Sequence, residues 1–258
     1  MRGLTISREK LRALLHYNKL FYAVQSERSA RSAEGVVHLV NEMLRPASVI
    51  DVGCGVGAWL AEFHRQGVSD VLGIDGDWVD RRMLKFPEEQ FVAHDLTQPY
   101  ESARAFDLVM SLEVAEDLDS DDSGAFVDLL TSLGPVILFS AAIPHQGGQH
   151  HVNERWQGDW ARDFEQRGYV AVDCVRPQIW ENRNVQVWYR QNIILYIKRD
   201  ALAESPELQA LVDKWGNSPI SVVHPDLYST MFLRAASGFV RQYRGIRVKT
   251  VVKGLIRR

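Results

Sequence analysis

The stretch PHQGGQHHVNERW, residues 144 to 156, sets three histidines, a glutamate and two adjacent glycines within thirteen positions. An imidazole near a substrate can take a proton from a hydroxyl around neutral pH or ligate a metal. His145, His150 and His151 are therefore candidate catalytic residues, and Gly147 and Gly148 let the segment bend close to a substrate or move as a lid. Upstream, SLEVAEDLDSDD brings Glu113, Glu116, Asp117, Asp119, Asp121 and Asp122 within ten positions. Such a run of like charge is costly unless water or a cation screens it, and hard oxygen donors suit Mg2+ or a similar ion. In a helical turn Glu113, Glu116 and Asp117 would share one face. A third group is VIDVGCGVGAW, where Gly53, Gly55 and Gly57 alternate after an apolar run, so that the backbone can turn tightly and approach a nucleotide-like ligand. Asp51 precedes this turn, Asp75 lies in GIDGD and Asp95 in AHDL. The glycines also fit GxGxxA through Gly53, Gly55 and Ala58, which leaves a nicotinamide-dependent oxidoreductase as an alternative.

These groups sit at the ends of short apolar runs. SVIDVG, DVLGID, QFVAHD, FDLVMS and PVILFSA alternate with helical patterns or acidic turns, which predicts a parallel sheet with helices on both faces. GYVAVDCV and QNIILYIK add two strands, expected as an antiparallel hairpin that closes one edge of a seven-stranded sheet. Two helices are predicted before the sheet, one over 8–25 carrying Leu11, Leu14, Leu15 and Phe21, the other carrying Val37, Leu39, Val40, Met43 and Leu44. The expected organisation is an N-terminal helical cap (1–46), a central α/β unit (47–200), and a linker with a basic helical tail (201–258). The linker expectation rests on Pro, Ser and Asn near Ser205 to Pro225.

Composition is that of a globular enzyme, 46% hydrophobic with a net charge of −3, so no nucleic-acid partner is expected. Charge is uneven: residues 75–128 hold 15 acids against 4 bases, whereas the last 18 residues hold 7 Lys or Arg and no acid. That basic end is a candidate for peripheral contact with an anionic membrane. With two cysteines, no signal-peptide pattern at MRGLTISREKLRALL and no long apolar span, a cytoplasmic setting is expected.

Over residues 45 to 200 the series of glycine turn, second-strand acid and third-strand Asp-Leu pair resembles the class I S-adenosylmethionine-dependent methyltransferases, which have a Rossmann-like fold. The resemblance implies that Asp51, Gly53, Gly55 and Gly57 face the methionine part of the cofactor, Asp75 and Gly76 the ribose, and Asp95 with Leu96 the adenine. The fourth-strand exit is similar to the E-x-x-E-H pattern of the ubiquinone-pathway O-methyltransferases and small-RNA 2′-O-methyltransferases, which implies a divalent cation held by Glu113, Glu116 and Asp117. Asp117 stands where those families have His. HVNERW resembles the H-x-F-E-W stretch of the small-RNA enzymes and makes His151 a further ligand. The implied activity is O-methylation of a hydroxyl on a saccharide or other vicinal-diol small molecule, with Trp156, Trp160, Trp180, Trp188 and Tyr189 as either an acceptor wall or core. A non-catalytic cofactor-binding scaffold of the same fold is a second alternative.

Overall fold

The computed structural model describes residues 19–242, with side chains described over 27–234. In chain order the elements are α1 (Lys19–Leu44), β1 (Ser48–Val52), α2 (Ala58–Arg65), β2 (Asp70–Asp75), β3 (Phe91–Ala93), β4 (Leu108–Leu112), α3 (Ser123–Leu133), β5 (Val136–Ser140), α4 (Gln157–Glu165), β6 (Tyr169–Val172), α5 (Arg176–Ile179), α6 (Val187–Asn192), β7 (Ile194–Lys198), α7 (Arg199–Leu202), α8 (Pro206–Trp215) and α9 (Pro225–Gln242). The seven strands form one sheet in the order β3-β2-β1-β4-β5-β7-β6. The first five are mutually parallel, while β7 runs antiparallel to both β5 and β6. Strands β1, β4 and β5 are buried at every position, which is why their sequences read as continuous apolar runs: helices cover both faces of such a sheet.

On one face Val36, Val37 and Val40 of α1 and Leu60 and Phe63 of α2 pack with Val49, Leu108 and Leu138 of the strands. On the other, Phe126, Leu130 and Leu133 of α3 and Trp160 and Phe164 of α4 pack with Ile50, Val109, Ile137 and Tyr196. Phe164 stacks on Tyr196 at 4.0 Å between ring centroids, and Phe139 meets both Trp160 and Phe164 edgewise or tilted.

Three expectations change. The helix before the sheet is continuous from Lys19, the first described residue, to Leu44, and the small residues Ser29, Ser32 and Ala33 extend its buried face. Ser32 Oγ receives the backbone N–H of Gln186 at 3.1 Å, and Ser29 Oγ lies 3.2 Å from the Tyr189 hydroxyl. Leu11, Leu14 and Leu15 of the expected first helix lie outside the described residues. The last two strands pair antiparallel as expected, but residues 173–193 between them carry α5 and α6, and β7 inserts between β5 and β6 so that β6 is the edge. The stretch read as a linker opens on α8, capped by Ser205 Oγ accepting from the Leu208 N–H, and Leu208, Leu211, Val212 and Trp215 pack on the core. Of the basic tail, residues 243–258 lie outside the described residues. Among the described residues, no helix is long and apolar enough to cross a membrane.

Candidate active site

The candidate glycines, acids and histidines lie at the C-terminal ends of β1, β2, β3, β4 and β5, where open α/β sheets bind ligands. Gly53, Gly55 and Gly57 follow β1 with φ of 87°, 54° and 76°, left-handed values that a side chain would strain. A Cβ on Gly53 would also lie 2.4 Å from Val114, so the glycine turn and the acidic turn after β4 touch only because no side chain intervenes. Asp75 bridges the turn to β2, its carboxylate accepting the N–H of Gly55 at 2.7 Å and of Gly76 at 2.6 Å. Burial pushes Asp75 up to about 6 against the opposing effect of those two hydrogen bonds. Asp51 is 2% exposed, and its Oδ2 has no hydrogen-bond partner. Burial first, and the negative charge of Asp75 second, push its carboxyl up to about 8. An unsatisfied buried carboxyl beside a glycine turn is a place prepared for a cationic ligand. Asp95 accepts the N–H and the hydroxyl of Thr97 in a local turn, while Leu96 is buried.

The chain leaves β4 through Glu113, whose φ of 58° is left-handed, and whose N–H donates to the Ser140 carbonyl and hydroxyl at the end of β5. That turn aims its side chain inward. Glu113 Oε1 accepts from Asn192 Nδ2 at 3.0 Å and Oε2 from Gln146 Nε2 at 3.2 Å, and Asn192 Nδ2 also donates to Gln146 Oε1 at 3.0 Å. Glu116, in the next turn, is 1% exposed; no protein N–H reaches its carboxyl oxygens, and its carboxyl shares a hydrogen bond with Glu113. Burial, then the charge of Glu113, hold Glu116 well above the usual carboxylate range; burial also raises Glu113, countered by Asn192 and Ser140.

The histidine loop is stitched to this turn. The N–H groups of Val152 and Asn153 donate to the Glu116 carbonyl at 2.8 and 3.1 Å, and Asn153 Nδ2 donates to the Ala115 carbonyl and to Ser123 Oγ. Glu154 organises the rest of the loop: its carboxylate accepts the N–H of His145 at 2.7 Å and of Gly147 at 2.6 Å, and lies 3.2 Å from His151 Nδ1. With Nδ1–H directed at Glu154, His151 Nε2 is the acceptor nitrogen, and it lies 4.0 Å from Glu116 Oε1. His145 and His150 hold left-handed φ of 70° and 65°, His145 with its side chain exposed. Glu113, His145 and His150 are thus three non-glycine residues with left-handed backbone within one site.

The expected metal set does not assemble. Glu113 spends its oxygens on two amides, and among the described residues no three His, Cys, Asp or Glu side chains converge as a group that could hold a metal ion. The turn of Ala115–Asp117 is a 3-10 turn rather than the α-helical face expected from the spacing. A divalent cation held by these residues is not supported by this arrangement.

Asn192 and Gln146 were not foreseen. The signal for Asn192 was a polar pair, Gln191-Asn192, directly before the apolar run of β7, where it is almost wholly buried. Of the aromatic set, Trp160 and Tyr189 are core, Trp160 under the Arg155 guanidinium at 4.1 Å and Tyr189 edge-on to Trp59 at 5.0 Å. Trp156 is 40% exposed.

A mixed seven-stranded sheet in this order, with its glycine turn and strand-end acids, defines a Rossmann-like class I methyltransferase fold. A family model described as a methyltransferase domain matches residues 24–170, more than half of the chain, and the chain belongs to that family of S-adenosylmethionine-dependent methyltransferases. No curated protein matches the sequence. Similar solved structures include a putative O-methyltransferase from Nostoc punctiforme (TM-score 0.53, 13% identity, covering 69% of this chain and 59% of that one) and an O-methyltransferase family protein from Burkholderia thailandensis (0.52, 14%, 76% and 64%). DesVI of Streptomyces venezuelae is similar over 69% of this chain and 95% of its own, at TM-score 0.52 and 15% identity. At these identities the likeness is one of fold. Family membership removes the nicotinamide-dependent reading of the glycine turn.

Proposed function

We propose that this methyltransferase acts on a hydroxyl of a polyhydroxylated small molecule, such as a saccharide. The observation that carries this reading is the buried, acceptor-rich cluster after β4. Glu116, hydrogen-bonded to Glu113 and 4.0 Å from His151 Nε2, offers buried oxygens that no protein N–H meets. Such a surface is satisfied by a ligand that donates several hydrogen bonds, as adjacent hydroxyls do.

S-adenosylmethionine, when bound, supplies a methyl group on a positively charged sulfur. The unpartnered carboxyl of Asp51 suits the cationic methionine end, with Gly53, Gly55 and Gly57 allowing close approach of the backbone. Asp75 and Gly76 are assigned to the ribose and Asp95 with Leu96 to the adenine. Glu116 would hold the acceptor's hydroxyls, with Glu113 fixed beside it by Asn192 and Gln146. His151 Nε2 takes the proton that the reacting hydroxyl loses as its oxygen attacks the methyl carbon, and Glu154 keeps the imidazole in the required tautomer. His145 and His150 shape the loop around it. Because the proton acceptor is a side chain of the protein, dialysis against EDTA is expected to leave turnover within about twofold of that of the untreated enzyme.

The testing experiment is a panel of polyols, monosaccharides, catechols and primary amines incubated with the enzyme and S-adenosylmethionine, with release of S-adenosylhomocysteine measured. Turnover is expected with hydroxyl acceptors. Turnover confined to amines would overturn the assignment of a hydroxyl acceptor while leaving the class of enzyme intact.

A further inference from the structure

Over its described side chains, to Arg234, helix α9 is anchored along one side and exposed along the other. At its start the buried His224 imidazole accepts the N–H of Asp226 at 3.1 Å, Arg190 donates to the Asp226 carboxylate at 3.0 Å, and Leu227 is buried. Two turns on, Arg234 donates to the carbonyls of Gln146 and Gly147 in the histidine loop. On the opposite side Tyr228 is 63%, Phe232 62% and Leu233 66% exposed. Tyr228 and Phe232 are one helical turn apart, and Leu233 flanks them. The other large exposed apolar residues among those described, Val152 and Trp156, belong to the loop that Arg234 grips. Single exposed apolar residues are ordinary on a protein surface; a helix face of three is an interaction surface.

The residues at and beyond the end of α9 decide which partner suits it. Residues 241–258 carry seven Lys or Arg and no Asp or Glu, and Phe239-Val240 repeats Phe232-Leu233 seven positions later. An aromatic and apolar face running into a segment of one charge sign matches an anionic bilayer, where Tyr and Phe enter the headgroup boundary while Lys and Arg meet lipid phosphates. A second copy of this chain is the poorer occupant, since a two-fold interface would bring two such basic segments together. We infer that the exposed face of α9 is a docking surface for anionic lipid, with Tyr228, Phe232 and Leu233 as its apolar contacts and its partner's charge set by the Lys and Arg that follow in the sequence. Arg234 ties that surface to the loop that bears His151, so the enzyme docks with its acceptor loop linked to the membrane-bound helix. The inference rests on α9 and the sequence after it, independently of which acceptor is methylated.

The test is flotation of the full-length chain with phosphatidylcholine vesicles made with and without phosphatidylglycerol, at low and high salt. The wild-type chain is expected to float with the anionic vesicles only and to be released by salt. Phe232→Ser with Leu233→Ser should weaken binding by roughly tenfold or more, since burial of such side chains is worth at least that factor. Both positions are exposed, so the melting temperature should not change, and measuring it separates lost docking from lost folding. Failure to float with anionic vesicles, or equal flotation of the double variant, would overturn the inference. So would a lipid-free dimer that the double variant dissociates.

Discussion

Replacing Asp51 with asparagine is expected to stabilise the cofactor-free protein at pH 8 and to weaken S-adenosylmethionine binding by about a hundredfold. Both effects come from one carboxyl, buried and half unsatisfied, whose affinity for a proton rises from 3.8 to about 8 on folding. The folded state binds this proton more tightly than the unfolded chain does. The associated stability is therefore fully present below about pH 4 and is lost as the pH rises through about 8. Asparagine has no charge to bury, so the melting temperatures of variant and parent should coincide near pH 4 and diverge in favour of the variant as the pH climbs. The difference should be of the order of a few kcal/mol, given about 1.4 kcal/mol for each tenfold change in proton affinity. Binding moves in the opposite direction, because a cationic ligand loses a charge-assisted partner in a dry site. Asp75 titrates in the same sense but over a narrower range, up to about 6, because Gly55 and Gly76 already stabilise its charge.

His151→Ala is expected to lower kcat by about 10²- to 10⁴-fold, the usual worth of a positioned general base, while the dissociation constant for S-adenosylmethionine stays within about twofold. His145→Ala, at an exposed position, should cost far less, by less than about fivefold on the same scale. Glu154→Gln should fall between the two, since it alters the tautomer and tilt of His151 and also loosens the N–H groups of His145 and Gly147. Single-turnover measurements with saturating cofactor separate these effects from binding. Equal losses for His145→Ala and His151→Ala would remove His151 from the role of proton acceptor.

The strands were legible because their burial is uniform: runs such as VILFS in β5 have no polar face to disguise them. The glycine turn and the three strand-end acids were legible because spacing after a strand is a local property. Less local features escaped. Ser29, Ser32 and Ala33 form a buried helix face that small side chains hide from any hydrophobic pattern. The expectation that Glu113, Glu116 and Asp117 share an α-helical face failed on the backbone, left-handed at Glu113 and a 3-10 turn over Ala115–Asp117, which the residue types do not advertise. Asn192 reaches Glu113 only because β7 inserts beside β5, a consequence of sheet order that lies nearly eighty positions away in the chain. The meeting of the histidine loop with the acidic turn depends on Asn153 and on the Glu116 carbonyl, and a backbone acceptor leaves no mark in a sequence.

The most direct measurement is a calorimetric titration of the purified protein with S-adenosylmethionine at pH 7, run in phosphate and in Tris. The expected result is saturable one-to-one binding whose apparent heat differs between the buffers, because the Asp51 carboxyl, protonated near neutral pH when its site is empty of a cation, releases its proton as the ligand binds. Saturable binding with the same heat in both buffers would contradict the role given to Asp51, and no saturable binding in either would contradict the presence of an S-adenosylmethionine site.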